Sequence, residues 1–485
     1  MQSVAEAVAS HRVLPRLSRG FHDLMPQQML TRNRMIETVR NMAELYGFVP
    51  INTPAIEYLD VLSDTGGDEI KETTFRVISP EDEGLGLRFD LTVSLARFIA
   101  QNQNLPRPFR RYQVSPVWRA DKPDKGRFRE FAQFDLDSVG VESEIGDTEV
   151  IAAMCDILDA LGFGRYTVRF SNRALLNLLT AYADIPQAMI LDVFRILDKL
   201  EKIRIDRVRL ALTTGYVHSG DEVRGLGLRS SQVERIETFL KITSPSSRAE
   251  VIAQLRDLFR NVHRAAEEID RVERISKNLH ALGYGEDRVK LDLSIARGLA
   301  YYTGPVFETT VNAAPQFGSV FSGGRYDNLV TRFLGQRVPA TGASLGVDRL
   351  LDVLEHLGKL DTRKATTRVL VATMDPELTQ EYLDLTWALR RAGVPTELYL
   401  GEDRGLRKQL RYADQCDIPF TLLFGARERS NDVVIIKNMA AGRKEAGAAR
   451  EREEWLAARA GQTQVPRSDL VQAVKRLLSE MEQAA

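Results

Sequence analysis

Cysteine is scarce in this chain: Cys155 and Cys416 are the whole complement in 485 residues. Two distant thiols exclude a disulfide framework and a thiolate zinc cluster. They fit a reducing compartment, with the cytoplasm as the expected location. Histidine is also sparse. The six histidines are scattered, with no His-x-x-x-His pair, so no protein-bound metal is expected. No apolar run is long enough to span a bilayer, and the first 20 residues lack the apolar core of a secretory signal. The chain is therefore expected to have no membrane partner. Excess charge is missing too. With 66 Lys plus Arg against 67 Asp plus Glu, the net charge is −1. That argues against a protein that coats nucleic acid through bulk charge, while leaving room for local basic stripes. Finally, there is no Gly-x-x-x-x-Gly-Lys-Ser/Thr loop and no dinucleotide fingerprint, which excludes a P-loop or Rossmann-type site.

What is present divides the chain by pattern. Residues 1–17 read as an extension. Residues 18–175 and 286–358 carry strands and helices of an α+β domain. Residues 176–285 turn helical and charged, like an insertion, with a break near Gly215–Gly227. Residues 359–367 form a charged linker. Residues 368–485 alternate strand and helix, the pattern of a small α/β domain. Pro26 opens a helix that Gly47 ends. The segment Phe48–Ile56, with two prolines, is expected at a sheet edge or an interface. Tyr112–Arg119 and Phe128–Val139 are predicted to form a hairpin. Its second strand alternates, with Phe131, Gln133, Asp135 and Asp137 on one face. Three polar groups on one strand face are costly if buried dry, so they face solvent or a polar pocket. Gly323-Gly-Arg-Tyr-Asp327 reads as a glycine turn that lets backbone approach a ligand.

Two basic stripes stand out. Eight basic residues against three acidic ones lie between Arg107 and Glu130; the other stripe is Arg404, Arg407, Lys408 and Arg411. Arg119, Arg297 and Arg349 lie on three separate elements. Guanidinium forks suit a site where negative charge gathers at phosphorus, as when ATP activates a carboxylate. Asp90, Thr92 and Gln133 could accept from an α-ammonium. Asp137 and a tyrosine hydroxyl suit an imidazole.

At these residues the chain resembles the class II histidyl-tRNA synthetases, from about Arg19 to Leu478. Pro54 with its preceding helix is similar to the first class II motif. Val117–Asp137 resembles the second, and Gly342–Leu351, with Arg349, the third. Arg297-Gly-Leu-Ala-Tyr-Tyr302 and Gly323–Asp327 resemble the two histidine-specific motifs. The resemblance implies an antiparallel-sheet catalytic domain with a helical insertion, followed by an anticodon-binding domain. It implies a histidine–tRNA ligase acting on histidine, ATP with its Mg2+, and tRNA(His), as a homodimer. Asp90, Thr92 and Gln133 would hold the amino group. Asp137 and Tyr302 would read the imidazole between the walls Tyr301 and Tyr326. Arg119 and Arg297 would be catalytic, gripping carboxylate and α-phosphate. Arg127, Phe131 and Arg349 would complete the ATP site. Lys122, Lys125, Arg404, Arg407, Lys408 and Arg411 would meet the tRNA. The chain departs from the family pattern at Ala300, where many members carry an acid. An alternative implied by resemblance is the regulatory subunit of ATP phosphoribosyltransferase, which senses histidine without charging tRNA.

Overall fold

The structure is a computed structural model that describes residues 13–63, 72–123, 127–197, 205–218, 221–242, 247–295, 302–360, 363–441 and 461–483. Two compact units partition the chain: residues 1–23 with 32–359, and 24–31 with 360–485.

The first unit is built on an eight-stranded sheet. Its strands are β1 (Val49–Pro50), β2 (Phe109–Trp118), β3 (Glu130–Val139), β4 (Tyr166–Asn172), β5 (Val289–Leu291), β6 (Pro305–Val311), β7 (Ser319–Arg325) and β8 (Ala340–Gly346). Their spatial order is β1-β2-β3-β8-β7-β6-β4-β5. The six central strands run antiparallel to their neighbours. Only the two outer strands, β1 and β5, pair in parallel. β1 is the proline-bearing segment, and it sits at the edge because Pro50 has no N–H to give a second neighbour.

One face of the sheet is covered by the helix Glu144–Ala160. Ser143 caps its first turn by accepting from the Ile145 N–H. Val150, Ile151, Met154, Ile157 and Leu158 on this helix are wholly buried. Each contributes about 1.5–3 kcal/mol by leaving water. Between β4 and β5 the chain runs through the helices Arg173–Tyr182, Ile190–Leu197, Ile205–Leu212, Ser230–Lys241, Arg248–Leu258 and Ala265–Ala281. The break near Gly215–Gly227 is a two-stranded hairpin, Gly215–His218 with Asp221–Arg224.

Two local expectations need correction. Gly323 and Gly324 lie inside β7 rather than in a turn. Glycine is required there because the neighbouring strands come too close. A Cβ on Gly323 would strike the Gly342 carbonyl, and one on Gly324 would lie 2.6 Å from the Pro305 carbonyl and 3.0 Å from the Tyr302 ring. From its sequence, Leu87-Arg-Phe-Asp-Leu-Thr92 reads as a short strand; the observed strand is Leu85–Leu87 and overlaps that run only at Leu87. Arg88 breaks out of it to donate to the carbonyls of Thr53 (2.7 Å) and Pro116 (2.9 Å).

The second unit carries a five-stranded mixed sheet. Its order is Thr396–Leu398, Val369–Val371, Phe420–Leu423, Val433–Asn438, Gln462–Pro466. The helices Thr379–Arg391 and Leu470–Gln483 supply Tyr382, Leu385, Leu389, Leu470 and Val474 to its core.

Candidate active site

The sheet face opposite the Glu144–Ala160 helix carries ranks of polar residues, each rank set by strand register. One rank runs Gln113, Asp135, Ser344, Ser322, Glu308, Arg169 across β2, β3, β8, β7, β6 and β4. The next runs Arg111, Asp137, Gly342, Gly324, Val306. Above this face lies a cavity of about 290 Å³. Its lining brings together eight of the residues singled out from sequence: Asp90, Thr92, Arg119, Arg127, Phe131, Gln133, Tyr302 and Arg349.

One end of the cavity is cationic. The Arg119 guanidinium lies close to two rings, 4.3 Å from the centre of Phe89 and 5.2 Å from that of Phe131. Its Nε donates to the Phe89 carbonyl at 3.2 Å. Arg349 leaves the first turn of the helix Val347–His356 and donates to the Ser319 carbonyl at 2.7 Å. Burial, followed by the charges of Arg127 and Arg119, holds the Arg349 pKa below its ordinary value. Among the described residues, no carboxylate forms an ion pair with Arg119, Arg127 or Arg349. Three guanidiniums that repel one another around a cavity form a ready site for a polyanion.

The other end is acidic. Asp90 is 3% exposed and accepts from the Val93 N–H at 2.9 Å, at the start of the helix Thr92–Gln101. Gln133 donates to the Ser344 hydroxyl at 2.9 Å, and its buried Oε1 has no hydrogen-bond partner among the described residues. Asp135 forms part of the cavity floor. Burial, opposed by Arg111, raises its pKa to about 7. Tyr302 stands over this group. Burial and then the charges of Asp137, Asp135 and Asp90 raise its phenol well above its ordinary value, so it is a neutral donor.

Two residues expected at the cavity surface are not part of its lining. Asp137 pairs with the fully buried Arg111 at 2.8 Å and accepts from the Tyr326 hydroxyl. Neither Asp137 nor Tyr326 is in the lining. Gly342 makes this packing possible, because a Cβ there would collide with the Asp137 carboxylate. Arg325 from the same motif is a structural pin. It is 5% exposed and donates to Asp147 (2.8 and 3.0 Å), the Val141 carbonyl (2.7 Å) and the Ser143 carbonyl (3.1 Å). Arg297, Tyr301 and Lys125 lie outside the described residues. Lys122 is exposed and absent from the lining. Arg404, Arg407, Lys408 and Arg411 are exposed in the second unit. The last three share the outer face of the helix Leu406–Gln415, whose inner face buries Gln409 and Ala413.

Sequence reasoning gave no site role to several lining groups: Asp135, Glu308, Ser319, Ser322, Ser344 and Asp348. Asp135 had a visible signal, since it alternates in phase with Gln133 and Asp137. Asp348 binds the Ala132 N–H at 2.6 Å and pairs with Arg32 at 3.2 Å, a long-range role with no local mark. Among the described residues, no group of three or more His, Cys, Asp or Glu could hold a metal ion, and no helix is long and apolar enough to cross a membrane.

Comparison with known proteins agrees with this geometry. A family model described as histidyl-tRNA synthetase matches residues 20–350, and one described as an anticodon binding domain matches residues 368–459. The histidine–tRNA ligase of Rhizobium meliloti (strain 1021) is 38% identical over 491 residues, covering 97% of each chain. That of Caulobacter vibrioides is 38% identical over 478 residues, covering 96% of each. The crystal structure of histidyl-tRNA synthetase from Nostoc sp. PCC 7120 superposes with a TM-score of 0.79 at 30% identity, over 96% of this chain and 100% of that one. An ATP phosphoribosyltransferase regulatory subunit/histidyl-tRNA synthetase structure from Bacillus halodurans shares the fold, with a TM-score of 0.67 at 22% identity over 83% of this chain and 97% of that one. A sheet-floored cavity with cations at one end and carboxylates at the other thus meets full-length sequence kinship, and the chain belongs to the histidyl-tRNA synthetase family.

Proposed function

We propose that this chain joins histidine to ATP, releases pyrophosphate, and passes the histidyl group to the 3′ end of tRNA(His). In the first step a histidine carboxylate oxygen attacks the α-phosphorus, and the bond to the pyrophosphate oxygen breaks. In the second, a ribose hydroxyl of the terminal adenosine attacks the acyl carbon, and AMP leaves. The observation that carries the reading is the polarity of one cavity. Arg119, Arg127 and Arg349 stand at one end, and Asp90, Gln133 and Asp135 at the other.

Arg119 is suited to the carboxylate and α-phosphate, because its contacts with the Phe89 and Phe131 rings and with the Phe89 carbonyl hold the guanidinium in place. Arg297 is proposed as its catalytic partner on the strength of the motif. Phe131 offers a face for the adenine. Arg127 and Arg349 would take the phosphate tail, and Mg2+ would arrive with the ATP. Asp90, Thr92 and Gln133 would hold the ammonium, with Tyr302 donating toward the ring. Tyr326 acts through Asp137, which it holds in place, rather than as a wall. Tyr301 is kept as a wall residue by the motif alone. Lys122, Lys125 and the exposed face of Arg404, Arg407, Lys408 and Arg411 would meet the tRNA. A homodimer in the cytoplasm completes the proposal, supported by the proline-bearing edge strand and the two free thiols. Equilibrium sedimentation tests the dimer.

The central test is histidine-dependent exchange of pyrophosphate into ATP, which this reading requires. Absence of exchange in freshly folded protein would favour a histidine sensor. Arg119→Ala and Arg297→Ala are each expected to lower adenylate formation by about 10²-fold or more, the loss typical of one fixed transition-state donor.

A further inference from the structure

The segment that precedes the first helix lies against the hairpin loop at the cationic end of the cavity, and none of the roles above uses it. The Phe21 N–H donates to the Ser18 carbonyl at 3.1 Å, which turns the chain there. Gly20, with φ +87°, accepts from the Arg129 N–H at 2.8 Å through its carbonyl. A Cβ on Gly20 would lie 2.8 Å from Arg129 Cγ and 2.9 Å from Pro123 Cγ, so this strap sits directly on the loop. Phe21 meets Phe75 edge to face, with ring centres 6.1 Å apart. His22 stacks on Phe128, with ring centres 3.9 Å apart and 26° between the planes. Phe128 and its neighbour Arg127 both line the cavity, whereas His22 does not. His22 also faces a second element. On the helix that carries Arg349, burial and then Glu355 raise the Asp352 pKa, while the charges of His22 and Arg349 lower it. The imidazole thus touches the loop that supplies Arg127 and lies within electrostatic reach of the helix that supplies Arg349.

We propose that His22 is a positioning residue for the nucleotide: by stacking on Phe128 it holds the hairpin loop so that Arg127 meets the phosphate tail of ATP together with Arg349. Repulsion makes such a strap necessary. Arg127 and Arg119 both act against the charge of Arg349, and Arg127 lies outside the strands, since β2 ends at Trp118 and β3 begins at Glu130. Like charges around an empty cavity push a loop-borne guanidinium away from its place. A loop that is correctly placed only part of the time weakens binding by that fraction. His22 acts through Phe128 and Arg127 and needs no contact with the nucleotide.

This inference rests on the proposed function for the identity of the nucleotide, and the experiment separates the two. Pyrophosphate exchange by wild type tests the ligase reading. Equilibrium dialysis with MgATP tests the strap without any chemistry, in full-length wild type, His22→Ala and His22→Phe. If wild type does not exchange, the ligase reading fails and the dialysis still reads the strap. His22→Ala is expected to bind MgATP about 3- to 10-fold more weakly, the loss of one aromatic pair. His22→Phe restores a ring face and should bind within about twofold of wild type. Dissociation constants for histidine, and for adenosine, which has no phosphates, should stay within about twofold in both variants. A contact that only stabilises the fold would shift the melting temperature and leave these ratios untouched. Equal MgATP affinity in wild type and His22→Ala, a matching loss for adenosine or histidine, or a His22→Phe protein as weak as His22→Ala would each overturn the assignment, as would a wild type that takes up no MgATP.

Discussion

Removing Arg325 tests whether the glycine-rich motif is a ligand site or a pin. The guanidinium is buried against Asp147, which is itself wholly buried, and it also satisfies the carbonyls of Val141 and Ser143. Arg325→Ala leaves the Asp147 charge uncompensated in a dry site. Breaking a buried pair from one side costs about 3–5 kcal/mol, a large part of the stability of an ordinary domain. Burial already holds the Asp147 pKa above its usual value, so the carboxyl can relieve some of this cost by taking a proton. The loss should therefore be smaller at pH 5 than at pH 8. The double variant Arg325→Met with Asp147→Asn removes both charges and should recover at least half of the loss. Urea unfolding followed by helical circular dichroism measures all three proteins. An Arg325→Ala protein within about 1 kcal/mol of wild type would refute the pin. So would a double variant no more stable than the single one.

Other perturbations probe the floor and the second unit. Gly342→Ala places a Cβ against the Asp137 carboxylate and should lower kcat/KM for histidine by about tenfold or more while leaving KM for ATP nearly unchanged; exchange kinetics read both. Asp135→Asn should also stabilise the protein in a pH-dependent way. The native carboxyl holds its proton up to about pH 7, whereas the unfolded chain releases it near 3.8. Its presence therefore opposes folding increasingly as pH rises from 4 to 7, and the variant's advantage should grow by about 2–3 kcal/mol from pH 5 to pH 7. Paired unfolding curves at the two pH values test this, and a flat difference would contradict it. Arg407→Ala with Arg411→Ala should leave pyrophosphate exchange intact and lower tRNA charging by about tenfold or more, with a reduced salt dependence.

Local chemistry explains which parts were legible in advance. The period-two alternation of Phe131, Gln133, Asp135 and Asp137 marked a polar strand face because a strand shows its side chains alternately. The apolar repeat of Val347, Leu350, Leu351 and Leu354 marks a helix with Arg349 in its first turn, and the helix Val347–His356 has it there. The strand Ala340–Gly346 left no such mark. Its small residues have low strand propensity, and at Gly342 glycine is required because the Leu136 carbonyl and the Asp137 carboxylate crowd in. For the same reason Gly323-Gly324 looked like a turn. The hidden pairing of Arg111 with Asp137 spans β2 and β3 and follows only from their register, so a residue assigned to the ligand surface is found engaged by Arg111 in the next rank of the same sheet face, outside the cavity lining. The strand Gln462–Pro466 in the second unit is mostly polar and exposed, without the apolar repeat that reveals its neighbours.

The crowd of like charges formed by Arg119, Arg127 and Arg349 has an outcome beyond catalysis. An empty site stores their mutual repulsion, and any polyphosphate that settles among them releases it. The fold is thereby tied by mass action to the supply of its nucleotide. Protein kept without nucleotide should melt at a lower temperature than protein kept with it, and multivalent anions unrelated to the reaction should protect it in proportion to their charge.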